Sequence, residues 1–208
     1  MTIALAQELP DDAPTLREVF GAADGAATGF VLAQLPAKGP VLWVQDRLSR
    51  REGGRPSALG LAHLLGRPVE LLWIEAGRAV DVLWAMEEAL GCPALGAVVG
   101  EVWGDPPRLD FTATKRLALR AERAGVAAWL LRRAASPDLS AARERWRIAP
   151  LPSPPAPDDL RAPGEPLWQA TLLRARARRP GEWVAGPAAG RLSLRHPTAP
   201  ATHARRAG

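Results

Sequence analysis

Short apolar runs alternate with amphipathic stretches along the first two thirds of this chain, and that rhythm predicts an α/β fold. Residues 16–20 (LREVF), 40–45 (PVLWVQ), 69–74 (VELLWI), 97–102 and 126–131 are brief, rich in Val and Leu, and flanked by Gly, Pro or polar residues. Runs of that kind read as strands, and the Gly-flanked pair at 97–102 and 126–131 as strands buried on both faces of a parallel sheet. Between that pair, residues 112–124 carry helical spacing, with Leu117, Ala121 and Ala124 on one face and Arg116, Arg120 and Arg123 on another. Asp110 or Thr112 supplies the N-cap of that helix, and Gly125 closes it. Helices are also predicted over 28–35 and over 80–90, the latter with Val80, Leu83, Trp84, Glu87 and Leu90 in register and Gly91 at its end. Residues 46–57, polar and rich in Arg and Gly, predict a surface loop. Strand and helix in alternation from 16 to 132 give a mostly parallel sheet, helices on both faces, joined by right-handed crossovers.

Past Ser136 the pattern changes. Residues 142–148 alternate, with Arg143, Arg145 and Arg147 on one side and Trp146 and Ile148 on the other, the signature of a half-exposed strand. Seven prolines between 149 and 166 mark an irregular connector. Residues 168–176, 182–185 and 191–194 then read as short antiparallel strands separated by Arg-Pro-Gly and Gly-Pro turns. The expected organisation is a flexible N-terminus (1–13), an α/β core (14–149), the connector (150–166), a small β extension (167–194) and a disordered tail (195–208). There is no internal repeat.

Composition narrows the function classes. With 47% hydrophobic and 24% charged residues, the chain has the balance of a globular protein. No apolar run reaches the length of a membrane span and the first residues lack a basic signal-peptide region, so the expected location is cytoplasmic. Cys92 is the single cysteine, and the three histidines, at 63, 196 and 203, lack metal-ligand spacing. The net charge of +5 is uneven: residues 1–135 hold 15 basic and 16 acidic side chains, whereas 136–208 hold 12 and 6. Of the basic residues only Lys38 and Lys115 are lysines, a preference that coding bias explains more simply than selection for anion forks. The basic C-terminal third still permits an acidic partner or nucleic acid.

The candidate chemistry lies after the first strand, where a nucleotide-binding α/β protein keeps its phosphate site. Against the pattern G-x-x-x-x-G-K-[ST], the loop from Gly21 to Thr28 matches at Gly21 and Thr28. Ala26 replaces the second Gly, although Gly25 precedes it, and Ala27 replaces the Lys that reaches the terminal phosphates. Asp24 adds negative charge. An ordinary strand-to-helix turn fits the loop equally well. Glu101 closes the strand 97–102, where such an enzyme carries its magnesium-binding acid; without the Lys, a hydrogen-bonding anchor for the neighbouring loop is the alternative use. Asp46 is similarly placed. His63 lies in an apolar stretch (LAHLLG) and reads as a packed or capping residue. Neither a metal nor another cofactor is expected.

Eight tryptophans accompany no tyrosine. Trp43, Trp73, Trp103 and Trp129 belong to the expected core strands, and Trp84 is expected to pack its helix on the sheet. Trp146, Trp168 and Trp183 run beside the Arg-rich C-terminal strands. Two readings stand for that region: a stacking surface for single-stranded nucleic acid, or a small sheet with one apolar and one solvated Arg face. Arg143, Arg145, Arg147, Arg174, Arg176, Arg178 and Arg179 are the candidate partner-binding or DNA-binding residues under both.

Three segments in order, GAVVGEVWGDPPRLDFTATKRLALRAERAGVAAWLLR, LSAARERWRIAP and PGEPLWQATLLRARARRPGEWV, resemble the ImuA proteins of bacterial SOS mutagenesis cassettes. The resemblance covers roughly residues 14–194. ImuA proteins are similar to the RecA core and more loosely to the SulA division inhibitors. The resemblance therefore implies a RecA-like sheet, in which Glu18 to Phe20 and the following loop correspond to the RecA strand and phosphate loop, and Glu101 to the acidic magnesium position. It further implies a non-catalytic accessory of translesion synthesis, acting with ImuB (an inactive Y-family polymerase relative), an error-prone C-family polymerase and RecA, with single-stranded DNA as a further partner. A divergent RecA-family ATPase and a SulA-like division inhibitor are the rival readings.

Overall fold

The computed structural model describes residues 15–176, 178–188 and 191–197. The expected flexible N-terminus lies outside these residues, as does most of the expected tail. Five strands and five helices come first: β1 (Leu16–Gly21), α1 (Ala26–Leu32), β2 (Val41–Asp46), α2 (Arg47–Gly53), α3 (Ala58–Leu65), β3 (Leu71–Ala76), α4 (Ala79–Ala89), β4 (Ala97–Trp103), α5 (Phe111–Ala124) and β5 (Ala127–Arg133). Four strands follow: β6 (Glu144–Leu151), β7 (Leu167–Ala175), β8 (Gly181–Ala188) and β9 (Arg191–Arg195). All nine strands form one sheet in the order β3-β2-β4-β5-β1-β6-β7-β8-β9. Pairing is parallel from β3 to β6 and antiparallel from β6 to β9. This is the expected α/β class, a mostly parallel sheet with antiparallel C-terminal strands.

Two apolar layers sandwich the sheet. On one face α1 and α3 cover Val19, Trp43, Val99, Trp129 and Leu131. On the other, α4 and α5 cover Leu16, Val44, Val98, Val102 and Leu130. Successive residues of β2, β4 and β5 thus alternate between two dry layers, which is why these strands are nearly apolar throughout. Helix α5 forms as its spacing predicts: the Asp110 carboxylate accepts the Ala113 amide at 2.8 Å, Gly125 ends the helix at a φ of 70°, and Leu117 and Ala121 are fully buried.

Several expectations are corrected. Residues 46–57 are not a loop: Asp46 accepts the Ser49 amide and starts α2, and Ser57 caps α3. The capping chemistry was present, but Arg and Gly masked it. His63 is not packed; it is exposed in the last turn of α3. Trp84 is 66% exposed, because α4 packs through Val82, Leu83, Met86 and Leu90 instead. Trp73 and Trp103 are only half-buried, Trp73 because β3 is an edge strand. β6 keeps the expected alternation, with Trp146 and Ile148 buried and Arg147 exposed, but it lies inside the sheet, parallel to β1 and antiparallel to β7, and extends through Pro150 to Leu151 into the expected connector.

Candidate functional site

Residues 21–28 carry the chain from the end of β1 into the first turn of α1, as the sequence predicts, but their polar groups are engaged within the chain. The Asp24 carboxylate accepts the Ala26 amide at 2.9 Å, taking a helix N-terminal donor that a phosphate would use. Ala27, at the position of the phosphate-loop Lys, is fully buried, and a β-carbon on Gly21 would stand 2.5 Å from its methyl group. The position therefore points into the β1 contact and not toward a ligand.

Arg133, the last residue of β5, occupies the space between this loop and Glu101. Its guanidinium donates to the Asp24 carbonyl at 2.6 Å, to Thr28 Oγ1 at 2.6 Å, and from Nε to Glu101 Oε1. The other Glu101 oxygen accepts from Trp43 Nε1 at 2.9 Å and Gln45 Nε2 at 2.7 Å. Gln45 in turn donates to the Gly54 carbonyl and accepts from Trp73 Nε1. Glu101 and Arg133 are 1% and 3% exposed as side chains, so the pair is sealed from water. A β-carbon on Gly53, at the end of α2, would come within 3.1 Å of the guanidinium carbon, so α2 closes the site from above. In a phosphate-loop enzyme the Ser/Thr hydroxyl and a strand-end acid are the two protein groups given to Mg²⁺. Here one guanidinium holds both, and the residues in this arrangement do not fit a magnesium nucleotide.

Asp46 is bound in a comparable way. One carboxylate oxygen caps α2, and the other accepts the Trp103 amide at 3.1 Å, tying the ends of β2 and β4 together.

A second buried network lies on the opposite face. Glu18, fully buried on β1, accepts from Arg145 Nε at 2.7 Å and from Arg132 Nη1 at 3.4 Å. Both guanidinium groups lie over the Phe20 ring, at 5.1 and 5.5 Å. Arg132 also donates to Asp105 at 2.6 Å, and Asp105 accepts the Ser136 amide. Sequence reasoning missed Glu18, Arg132 and Arg133. The available signal was LLRR closing an apolar strand: two charges that enter a buried sheet require partners, and Glu18 and Glu101 were among the acids on candidate strands.

The seven C-terminal arginines do not share one face. Arg145 is buried against Glu18, correcting its expected solvation beside Arg143 and Arg147, while Trp146 points to the opposite face and packs with Phe30. Arg143 is half-buried and binds Glu122 through two contacts, 2.6 and 3.2 Å. Arg147, Arg174, Arg176 and Arg179 are exposed, and Arg178 is half-buried, its guanidinium pulled below the usual Arg range by burial, with Glu144 opposing and Arg17 reinforcing the shift. Trp146, Trp168 and Trp183 do not present a stacking surface. They pack with Phe30 of α1 in a core cluster, Phe30 to Trp146 at 5.4 Å and Trp146 to Trp183 at 5.8 Å between ring centres. Arg143, Arg174 and Arg176 instead line a groove with Phe111, Lys115 and Leu119 of α5.

No protein-family model matches the chain. It is 34% identical, over an alignment of 181 residues that covers 81% of this chain, to Protein ImuA of Caulobacter vibrioides, in strains NA1000/CB15N and CB 15, and the match spans 70% of those relatives. That identity and coverage confirm the resemblance carried by the three segments, and the chain belongs to the ImuA family.

Proposed function

We propose that this protein is a non-catalytic accessory of damage-induced translesion synthesis, a docking scaffold and not an ATPase. The observation that carries the non-catalytic reading is Arg133, which holds Thr28 and Glu101 together where a nucleotide enzyme would offer both to Mg²⁺. Ala27, buried in place of the Lys, agrees with it. Family membership supports the setting: SOS mutagenesis beside an ImuB-like inactive Y-family polymerase relative and an error-prone C-family polymerase, with RecA as a further contact, in the cytoplasm. Among the described residues no helix is long and apolar enough to cross a membrane. The sheet and its two buried ion networks form the scaffold, and the exposed basic surface of β6 and β7 meets the partners.

Co-expression with the ImuB-like protein tests the docking half: retention of both chains through affinity purification is expected, and consistent loss of the partner overturns it. Magnesium-dependent ATP hydrolysis by the pure protein, abolished by Glu101→Gln, would overturn the non-catalytic half and favour the divergent ATPase.

A further inference from the structure

The groove beside α5 makes the partner surface more specific. Its floor is Ala118, Ala141 and Ala142, and its volume is about 370 Å³, room for a couple of side chains but not for a folded element. Phe111 and Leu119, two turns apart on α5, stand at its edge and are 42% and 48% exposed. Lys115 lies between them, and Arg174 and Arg176 face them from the end of β7. The wall opposite α5 is held in place: the Ala141 amide donates to Thr114 Oγ1 at 3.0 Å, and Arg143 is clamped to Glu122. Among the described residues no salt bridge joins Lys115, Arg174 or Arg176 to a carboxylate; Glu122, whose charge Arg176 also feels at longer range, is bound directly by Arg143.

We propose that this groove takes an acidic, amphipathic segment of a partner protein, its carboxylates on Lys115, Arg174 and Arg176 and its aliphatic side chains against Phe111 and Leu119. The proposal deepens the docking reading given above and rests on it. Charge complementarity selects an anionic occupant, and paired arginines match carboxylates by their fork geometry. The apolar edge selects a peptide over nucleic acid. A single-stranded chain would need a row of exposed aromatic rings for its bases; Phe111 is the one aromatic ring at the groove, and the three C-terminal tryptophans are in the core. An amphipathic segment laid in a groove with apolar anchors is a recurrent peptide-recognition mode.

Fluorescence anisotropy with the whole chain tests this, using a labelled synthetic peptide of Asp, Glu and Leu, an all-glutamate peptide of equal charge, and an oligothymidylate. The Leu-containing acidic peptide is expected to bind tightest, with salt-sensitive affinity, and Arg174→Glu with Arg176→Glu, or Leu119→Ser alone, to weaken it about tenfold. These side chains are exposed, so circular dichroism and the melting curve are expected to stay unchanged. Tighter binding of the oligothymidylate, or indifference of the peptide to both variants, overturns the proposal. The same variants are then co-expressed with the ImuB-like partner. Wild-type levels of co-purification would overturn the groove as the docking site while leaving the accessory reading intact. Failure of the wild-type chain itself to co-purify would overturn the accessory reading, while peptide capture by the groove would stand.

Discussion

Arg132 and Arg133 are neighbours at the end of β5, yet their guanidinium groups leave the sheet on opposite faces, one to Glu18 and the other to Glu101. Strand alternation makes this obligatory, since successive side chains point to opposite sides. A dipeptide of two arginines thus anchors two buried carboxylates on two different strands, one beside the phosphate-loop remnant and one beneath the C-terminal sheet.

Removing one member of a buried pair leaves the other charged and without a partner, which costs about 3–5 kcal/mol, more than the pair itself contributes. Arg133→Met is therefore expected to lower the urea unfolding free energy by about that amount, and adding Glu101→Gln to restore most of it. Equal destabilisation by the single and double variants would show that Glu101 does not depend on Arg133.

The parallel strands and α5 were legible in the sequence because each is governed by a local signal: an apolar run, a 3.6-residue period, an Asp cap, a closing Gly. The candidate site was legible only by halves. Gly21 to Thr28 and Glu101 stood out against a known motif, whereas Arg133 is 32 residues from Glu101 and 105 from Thr28, and nothing local couples them. The tryptophans misled for a related reason. Trp84 has the correct period for a buried face, but tertiary packing rotated α4 onto Met86 and Leu90; Trp146 alternates with arginines, but Phe30 of α1 covers its face of β6 and keeps the indole from any ligand.

Glu18 is expected to be more sensitive than Glu101 to loss of charge, because two guanidinium groups converge on it with little water. Glu18→Gln would leave Arg145 and Arg132 buried with reduced compensation, and a loss of about 3–5 kcal/mol is expected in chemical denaturation. A change below about 1 kcal/mol would show that Asp105, Phe20 and solvent suffice to hold both arginines.

Gly29 marks how closely α1 approaches the C-terminal strands. A β-carbon there would stand 2.7 Å from the Trp168 ring, so Gly29→Ala must displace α1 or the indole. Overpacking of this kind costs about 1–3 kcal/mol, and the near-ultraviolet circular dichroism of the tryptophan cluster is expected to change with it. An unchanged spectrum and melting point would mean that α1 and β7 are less tightly joined than the geometry shows.

The Glu122–Arg143 pair makes one contribution to the pH dependence of stability. The Arg143 guanidinium holds the Glu122 carboxyl below its ordinary range, against a smaller opposing effect of burial. A carboxyl whose value falls on folding contributes stability above its unfolded value and loses it as pH falls through the folded one. Both side chains are about one third exposed, at 33% and 35%, so solvent screening limits the contribution to about 0.2–1 kcal/mol. Glu122→Gln is therefore expected to remove that much stability at neutral pH and to flatten the stability curve in the acid range. An unaltered acid limb would place the titration elsewhere.

Ala134 carries the backbone that delivers Arg133 to its site. Its φ of 47° is the one positive value found outside glycine among the described residues; its amide donates to the Gly21 carbonyl at 2.9 Å, while the Arg133 carbonyl accepts the Gly104 amide at 2.8 Å. The turn after β5 is thus pinned to both β1 and β4, and an L-residue held in the left-handed region costs about 1–2 kcal/mol. Glycine would relieve that strain but also loosen the unfolded chain by about 0.5–1 kcal/mol, so Ala134→Gly is expected to be neutral to slightly stabilising. Ala134→Val adds β-branching where it is least tolerated, and should destabilise well beyond glycine while weakening the Arg133 link to the loop. Hydrogen exchange at the loop amides separates the two causes: faster exchange in Ala134→Val but not in Ala134→Gly would tie the loop to the turn, whereas equal exchange in both would mean that Arg133 finds Glu101 without help from the backbone.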